Sequence, residues 1–288
     1  TMGCAESWRR TRTNKSPKTR SQCPSVTSRV TTQMKRIETL SELELLVNGM
    51  NLATSLGYHR DFKPEYRDLT IVVDSQTSGF IVNIGNKPSC QALQLAARVL
   101  QTLPATDKIG FNEYIKLEAD KYIICKDAMA AHGIDVEILK KADPWATVMT
   151  KLWEWIQGLY DRWKPETVTL IGYSSSHFDS RFIIKGATEA KLDIPPYLQF
   201  ADAYHILQQW VPEKFPDRMK RKLATVFTEF VGYEVNPKLL HEAWPDTLVL
   251  TAILLAANAI ARVDSRSPLV ALLKASHLNP GVQSLLKK

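Results

Sequence analysis

The sequence contains few cysteines and few glycines, and each scarcity excludes a class of protein. The four cysteines (Cys4, Cys23, Cys90 and Cys125) lie far apart and match neither a zinc-ligand spacing nor a disulfide framework. We therefore expect reduced thiols in an intracellular protein, with no preference between nucleus and cytoplasm. Only 12 of the 288 residues are glycine, and they form no glycine-rich phosphate-binding loop.

Long apolar runs are also missing. The most apolar stretch, residues 247–260, contains Asn258 and is shorter than the roughly 18 apolar residues of a membrane span. The basic N-terminus lacks the apolar segment of a secretory signal. A composition of 44% hydrophobic and 23% charged residues is typical of globular proteins and excludes a disordered or fibrous chain. We expect no membrane partner.

Positive charge is concentrated at one end of the chain. Residues 1–36 hold nine Lys and Arg residues against one acid, Glu6, so this segment carries +8 and leaves −1 of the net +7 for the rest. Such a segment attracts phosphate backbones, although a solvated arm without a partner is the alternative. We expect a flexible basic tail over 1–37, a helical lead-in over 38–66, a main domain over 67–264 and a C-terminal extension over 265–288.

Apolar periodicity in the remaining chain predicts an α/β protein with a mixed sheet. A helix is expected over 38–56, with its apolar stripe (Leu40, Leu43, Leu46, Met50, Leu52) in the core. We also predict a helix that begins with Asp143 as the N-cap and Pro144 at the first helical position, and whose tryptophans pack in the core. Strands are expected over 69–73, 92–100, 109–115, 168–171 and 198–201, with a turn over 104–108, and further helices over 180–190, 218–230 and 246–261.

Three aspartates and one histidine stand where strands end or helices begin: Asp74, Asp179, His241 and Asp246. A single aspartate after a strand is usually a turn or cap residue. Several carboxylates gathered from strand ends, however, supply the oxygen ligands that Mg²⁺ prefers. Two such ions can clamp the attacking and leaving oxygens of a phosphodiester, and a nearby histidine can accept the proton of the attacking water.

These segments resemble the three motifs of the DnaQ-like 3′–5′ exonucleases, in the DEDDh branch. The first motif of that family, Asp-x-Glu-Thr-x-Gly, is matched by residues 74–79, which read Asp-Ser-Gln-Thr-Ser-Gly. The second is matched by Phe178 and Asp179, and the third by His241 and Asp246 with four residues between them. Residues 94–97, 111–115 and 131–134 resemble the strands and helix between the first two motifs, so the resemblance extends over about residues 69–262.

The resemblance implies an RNase H-like fold, a mixed five-stranded sheet flanked by helices, that removes nucleotides from the 3′ end of single-stranded DNA or RNA. By position, Asp74, residue 76, Asp179 and Asp246 would bind two Mg²⁺ ions, for which Mn²⁺ could substitute, and His241 would be the general base. The implied substrate-binding residues are Thr77, Ser78, Gly79, Phe80 and Phe178. Stacking of an unpaired base on an aromatic ring such as Phe80 tolerates any sequence.

Two positions depart from the family pattern. Tyr173 and Ser174 replace the usual His-Asn before the second motif, and Gln76 replaces the metal-binding glutamate of the first. Because a neutral amide supplies no charge to a Mg²⁺ site, metal affinity and turnover should both fall. Three explanations of Gln76 stay open: a deliberate inactivating substitution, a natural chain that kept only nucleic-acid binding, or a natural enzyme that works slowly, for example with Mn²⁺.

The remaining candidate residues have plainer interpretations. We expect His177 to be a loop residue and His132 to be structural. Asp202 and Glu242 are expected to be solvated or capping residues. The basic run 220–222 (Lys-Arg-Lys) is either a solvent-exposed helix face or a contact with a phosphate backbone.

Overall fold

The computed structural model describes residues 34–56, 68–83, 88–100, 109–212, 214 and 222–263, which belong to one compact unit. Several sequence predictions lie outside these residues. They concern the tail up to residue 33, the last ten residues of the lead-in (57–66), the turn over 104–108, the basic residues 220 and 221, and the C-terminal extension.

The described strands form one main sheet and one separate pair. They are β1 (Arg36–Ile37), β2 (Asp68–Thr77), β3 (Ala92–Val99), β4 (Gly110–Tyr114), β5 (Thr167–Gly172), β6 (Leu198–Asp202) and β7 (Glu234–Val235). The main sheet has five strands in the order β4-β3-β2-β5-β6. Strands β3 and β4 continue the sheet antiparallel from β2, whereas β5 and β6 are parallel to it, so the predicted mixed five-stranded sheet is confirmed. A separate parallel pair joins β1 to β7.

Helices cover both faces of the sheet. They are α1 (Leu40–Leu56), α2 (Lys126–His132), α3 (Val136–Lys141), α4 (Trp145–Trp163), α5 (Asp179–Glu189), α6 (Ala203–Trp210), α7 (Leu223–Val231) and α8 (Ala243–Val263), with a 3₁₀ turn at Pro237–Leu239. The longer ones, α1, α4, α5, α7 and α8, were predicted from periodicity. The end of α2 lies in the segment 131–134 that the motif resemblance matched to a helix, whereas α3 and α6 were not predicted.

Alternation along the central strand β2 separates two hydrophobic cores. Val72 points into a core shared with α1, α6, α7 and α8. Its neighbours Ile71 and Val73 point into the opposite core, built with α4 and α5. Because β2 is covered on both faces, its sequence is a continuous apolar run rather than an alternating one. Trp145 lies in the second core with 2% of its surface exposed, which confirms the predicted packing role of the first tryptophan of α4.

The N-terminal helix α1 is part of the fold. A reciprocal pair of hydrogen bonds caps it, in which the Glu42 carboxylate accepts from the Thr39 N–H at 3.1 Å and Thr39 Oγ1 accepts from the Glu42 N–H at 3.2 Å. Leu43 and Val47 are fully buried in the core that α1 shares with α8. Trp244 Nε1 on α8 donates to Glu44 Oε1 on α1 at 3.2 Å. As far as residue 50, the predicted apolar stripe of this helix therefore packs in the core.

Three boundaries differ from the sequence predictions. Strand β2 runs through Asp74 to Thr77, because residues 74–77 continue to pair with β3. Asp143 is not the N-cap of α4. Its backbone bridges to Ile115 and its carboxylate binds Lys151 Nζ at 2.7 Å, so extended Pro144 precedes the helix instead. At the N-terminus, Arg36 and Ile37 form β1 rather than part of the tail.

Helix α8 is, among the described residues, the one helix long and apolar enough to cross a membrane. However, 83% of its apolar window, Ala243–Ile260, is buried inside the fold. Its apolarity is accounted for by its place as the central helix of one core, where it packs against α1 and α7.

Candidate active site

The motif acids come from three different elements. Asp74 and Gln76 lie on β2, Asp179 is the first residue of α5, and Asp246 lies in the first turn of α8. Because side chains alternate along a strand, Asp74 and Gln76 lie on the same face of β2 as Val72, toward α8, whereas Ser75 lies on the opposite face, toward α5. The fold thus brings Asp74, Gln76 and Asp246 together on one face of β2 and places Asp179 against the other.

Gln76 links two of the acids directly. Its amide nitrogen Nε2 donates to Asp74 Oδ2 at 3.1 Å and to Asp246 Oδ2 at 3.4 Å. A neutral amide therefore stands between two carboxylates, where it supplies hydrogen-bond donors but no positive charge. These contacts join the two acids through one amide group.

Asp179 is held by β2 and lies against the end of β5. Ser75 Oγ donates to Asp179 Oδ1 at 2.6 Å, and the side chain is almost completely buried. A methyl group on Gly172, at the end of β5, would lie 2.8 Å from Ser175 Cβ, 3.0 Å from the Val73 carbonyl oxygen and 3.1 Å from Asp179 Oδ2, so a larger residue would displace Ser175 and crowd this carboxylate. Burial raises the pKa of Asp179 to about 7, although the Ser75 hydrogen bond opposes that shift.

Asp246 is bound on one oxygen only. The backbone N–H of His241 donates to its Oδ2 at 3.1 Å, whereas its Oδ1 is buried without a hydrogen-bond partner. Burial raises the pKa of Asp246 to about 7, and the charge of Asp179 adds to that shift. The pKa of Asp74 is also raised, by burial first and then by repulsion from Asp246 and Asp179.

His241 occupies the turn before α8 with a positive φ of 68°. This left-handed backbone is uncommon for a side-chain-bearing residue, and it lets the His241 N–H point back at Asp246. The residue is exposed to solvent. The structure thus fixes the backbone of His241 against one acid and leaves its imidazole accessible.

The donor set is suited to a hard divalent cation. Three carboxylates with raised pKa values and one unpartnered carboxylate oxygen would all be relieved by a nearby positive charge. Within the described part of the chain, no group of three or more His, Cys, Asp and Glu side chains forms a ready metal site. The amide of Gln76 stands between two of the acids instead.

The turn after β2 exposes one aromatic side chain. Thr77 Oγ1 donates to the Gly79 carbonyl at 2.7 Å, and Ser78 Oγ donates to the Ile123 carbonyl at 2.7 Å. Both hydroxyls are therefore engaged inside the protein. Phe80 is 76% exposed, with its ring 5.8 Å from that of Phe178, which packs in the core. Of the five substrate-binding residues implied by the resemblance, Phe80 offers the largest free surface.

Several neighbouring residues differ from, or add to, the sequence interpretation. Asp202 is a capping residue for α6, through the Tyr204 N–H at 3.0 Å, but it is buried rather than solvated. Its carboxylate also accepts from the Ser176 N–H and hydroxyl at 3.0 and 2.6 Å, so it holds the loop before Asp179. Glu242 is exposed and accepts from Tyr114 Oη at 3.3 Å.

Two other histidines of this region keep their plain interpretations. His177 is an exposed residue of the loop before α5. His132 ends α2, and its Nδ1 accepts from the Ile134 N–H at 3.1 Å, which is a structural contact. The sequence analysis did not identify Ser75 and Gly172 as site residues. Neither side chain carries a charge, and neither residue is one of the defined positions of the three motifs.

Comparison with known proteins identifies the fold. No protein-family model matches the chain, and no curated protein matches it. Among solved structures, the nuclease domain of 3′hExo, described as a DEDDh family member bound to rAMP, is 18% identical over 70% of this chain and 96% of that one, with a TM-score of 0.52. Cell-death related nuclease 4 (CRN-4) is 17% identical over 67% of this chain and 66% of that one, with a TM-score of 0.51.

E. coli exonuclease I in complex with a dA13 oligonucleotide is 15% identical, with a TM-score of 0.51, and the match covers 72% of this chain but only 42% of that one. At these identities the likeness defines the fold and not the activity. The protein therefore has the exonuclease, RNase H-like fold, as predicted from its motifs.

Proposed function

We propose that this site is a metal-dependent 3′–5′ exonuclease centre acting on single-stranded DNA or RNA ends, and that Gln76 keeps its turnover low. The observation that carries the proposal is that acids from three elements act on one another: Gln76 Nε2 joins Asp74 Oδ2 to Asp246 Oδ2, and burial, with the charge of Asp179 added to it, raises the pKa of both. Asp179 and Asp246 are buried and Asp74 is half-buried. The pKa values of all three are raised, a costly arrangement that a bound cation would relieve.

Asp74, Asp179 and Asp246 are the residues that would hold Mg²⁺, with Mn²⁺ as a substitute and two ions as the full complement. When bound, the ions would polarise the scissile phosphate and lower the pKa of the attacking water. The unpartnered Asp246 Oδ1 is one free ligand oxygen. His241, exposed and anchored to Asp246 through its N–H, is positioned to accept the proton of that water.

The substrate end of the site is assigned to Phe80. Its exposed ring stands beside Phe178, which directly precedes Asp179, so a base stacked on Phe80 would lie next to the acids. The oligonucleotide and rAMP complexes of the structural neighbours support a single-stranded 3′ end as the ligand. Stacking on one exposed ring selects unpaired bases without selecting their identity.

A second candidate function is favoured by Gln76. The Gln76 amide donates to one oxygen of Asp74 and one oxygen of Asp246, so it links the two acids without a metal. A chain of this design could bind nucleic-acid ends, recruited by its basic N-terminal segment, without cutting them. The two candidates share a fold and a ligand and differ only in whether the acids can still take up a divalent ion.

A degradation assay separates these candidates. The chain, a Gln76→Glu variant and a Gln76→Glu/His241→Ala variant are incubated with 5′-labelled single-stranded DNA and RNA in Mg²⁺ or Mn²⁺. Gln157→Glu is the matched control, since the exposed Gln157 amide also donates to a carboxylate, Asp161 Oδ2, at 3.1 Å.

The exonuclease proposal expects weak shortening by the chain itself, a strong 3′–5′ ladder from Gln76→Glu, no ladder from the double variant and no change from Gln157→Glu. If no variant cuts while the chain still binds single strands in a salt-dependent manner, the binding function replaces the enzymatic one. If the chain neither cuts nor binds, both functions are rejected.

A further inference from the structure

Two cysteines that the active-site chemistry does not use lie together behind the turn that carries Phe80. Cys90 precedes β3 and Cys125 precedes α2, and both are free thiols. A methyl group added to Gly79 would lie 2.7 Å from Cys90 Sγ and 2.6 Å from Cys125 Sγ. Both sulfurs therefore crowd the same side of one glycine, and the two thiols interact with each other.

The same two residues hold both ends of the turn through their backbones. The Cys125 N–H donates to the Ser78 carbonyl at 2.7 Å, and the Cys90 N–H donates to the Ile81 carbonyl at 2.6 Å. A bond between the sulfurs would thus join the two residues whose backbones hydrogen-bond to residues 78 and 81. We propose that Cys90 and Cys125 are a redox modification site, which peroxide converts to a reversible disulfide that fixes this turn.

The two thiols are placed for different steps of that oxidation. Cys125 is half-buried, so peroxide can reach it, whereas Cys90 is fully buried. Burial also raises the pKa of the Cys90 thiol, which keeps it protonated and less reactive toward peroxide. Cys125 is therefore the residue attacked first, and Cys90 is the resolving partner.

The chemistry balances with hydrogen peroxide as the oxidant. The Cys125 sulfur loses its thiol proton and attacks one peroxide oxygen, the O–O bond breaks, and the departing hydroxide takes up that proton, so a sulfenic acid and one water form. The Cys90 sulfur then attacks the sulfenic sulfur, the S–O bond breaks, and the departing hydroxide takes up the Cys90 thiol proton as a second water. Two thiols and one peroxide thus give one disulfide and two waters, and a dithiol reductant reverses the change. The sulfurs must approach to about 2.05 Å.

The first test uses the full chain with Cys4→Ser and Cys23→Ser, so that no other thiol competes. After peroxide treatment, peptide mapping without reductant should show the Cys90 and Cys125 peptides joined, with a loss of about 2 Da relative to the two reduced peptides. The midpoint of thermal unfolding should rise by about 5 °C, because the new bond closes a long loop. Dithiothreitol should reverse both changes.

Two further variants identify the order of events. With Cys90→Ala, the sulfenic acid at Cys125 should accumulate and react with dimedone; with Cys125→Ser, peroxide should leave Cys90 unmodified. Circular dichroism confirms that each variant is folded. The proposal is overturned if folded protein with both thiols present forms no cross-link, or if Cys125 proceeds to sulfinic acid without one.

The effect on ligand binding rests on the proposed function, because it assumes that Phe80 contacts the nucleic acid. A turn fixed in advance costs less to order on binding, so the oxidised protein should bind a single-stranded oligonucleotide about threefold more tightly. Equal affinity of the oxidised and reduced proteins would refute the effect of the disulfide on binding and leave the proposed function intact. If neither form binds, the proposed function fails, while the mass measurement still decides whether the disulfide exists.

Discussion

Replacing Gln76 by glutamate tests the arrangement of the acids apart from any catalysis. In the metal-free protein at about pH 8, the substitution removes the amide donor that lies 3.1 Å from Asp74 Oδ2 and 3.4 Å from Asp246 Oδ2. It also places a third carboxylate against the other two. The variant should therefore be much less stable than the parent without a divalent ion, and should recover when Mg²⁺ is added.

The size of the effect follows from these contacts. Each hydrogen bond to a charged group contributes about 1.5–3 kcal/mol, and two like charges about 4 Å apart repel by about 4 kcal/mol at the effective dielectric constant near a protein surface. Protonation of one carboxyl relieves part of that repulsion. We expect a net loss of about 3–5 kcal/mol at pH 8, which for a chain of this size lowers the unfolding midpoint by about 10 °C.

Thermal unfolding in EDTA and in Mg²⁺, at pH 5 and pH 8, measures this effect. The loss should shrink at pH 5, because the carboxyl introduced at position 76 can donate as the amide did once it is protonated. Gln157→Glu, whose exposed amide makes a similar contact to Asp161, should change stability by less than about 1 kcal/mol. If Gln76→Glu unfolds with the parent in EDTA at pH 8, the amide does not hold the acids together and the reasoning fails.

Three further predictions concern the same site. In EDTA, the raised pKa values of Asp179 and Asp246, about 7 against 3.8, mean that stability present below about pH 4 is lost as the pH rises through 7, by at most about 4 kcal/mol for each carboxyl; urea unfolding at pH 5 and 8 should show the decrease, and Asp179→Asn should reduce it. Phe80→Ala should weaken binding of a single-stranded oligonucleotide about tenfold in fluorescence anisotropy, whereas Leu45→Ala, which removes an exposed side chain of α1, should not. Gly172→Ala should destabilise the protein by about 1–3 kcal/mol in urea, because the new methyl group meets Ser175 Cβ and crowds the Asp179 carboxylate; an unchanged midpoint would contradict those contacts.

Much of the fold can be predicted from the sequence because its long elements have a clear period. The apolar runs of β2 and β5 and the stripes of α1 and α4 each repeat often enough to separate strand from helix. The helices α2 and α3 span 7 and 6 residues, too few turns to show a period. Strands β1 and β7 pair two residues each across most of the chain, a contact that no local pattern reveals.

The site is predictable in its residues but not in its contacts. The motif spacing identifies Asp74, Asp179 and Asp246, since each stands at a fixed point of an element. It does not reveal that the amide of Gln76 bridges two of them, or that Ser75 binds the third from the other face of β2. The contacts to Asp246 and Asp179 join residues 170 and 104 positions apart, so they depend on how the helices pack and not on any local pattern.

The packing of α1 on α8 determines the shortest fragment of this chain that we expect to remain in solution without aggregating. The motif resemblance begins near residue 69, and a fragment cut there would still contain every motif. It would lack Leu43 and Val47, which are fully buried in the core shared with α8, and would expose a continuous apolar surface on that helix, which favours aggregation. Fragments prepared for crystallography or binding studies should therefore begin before Arg36.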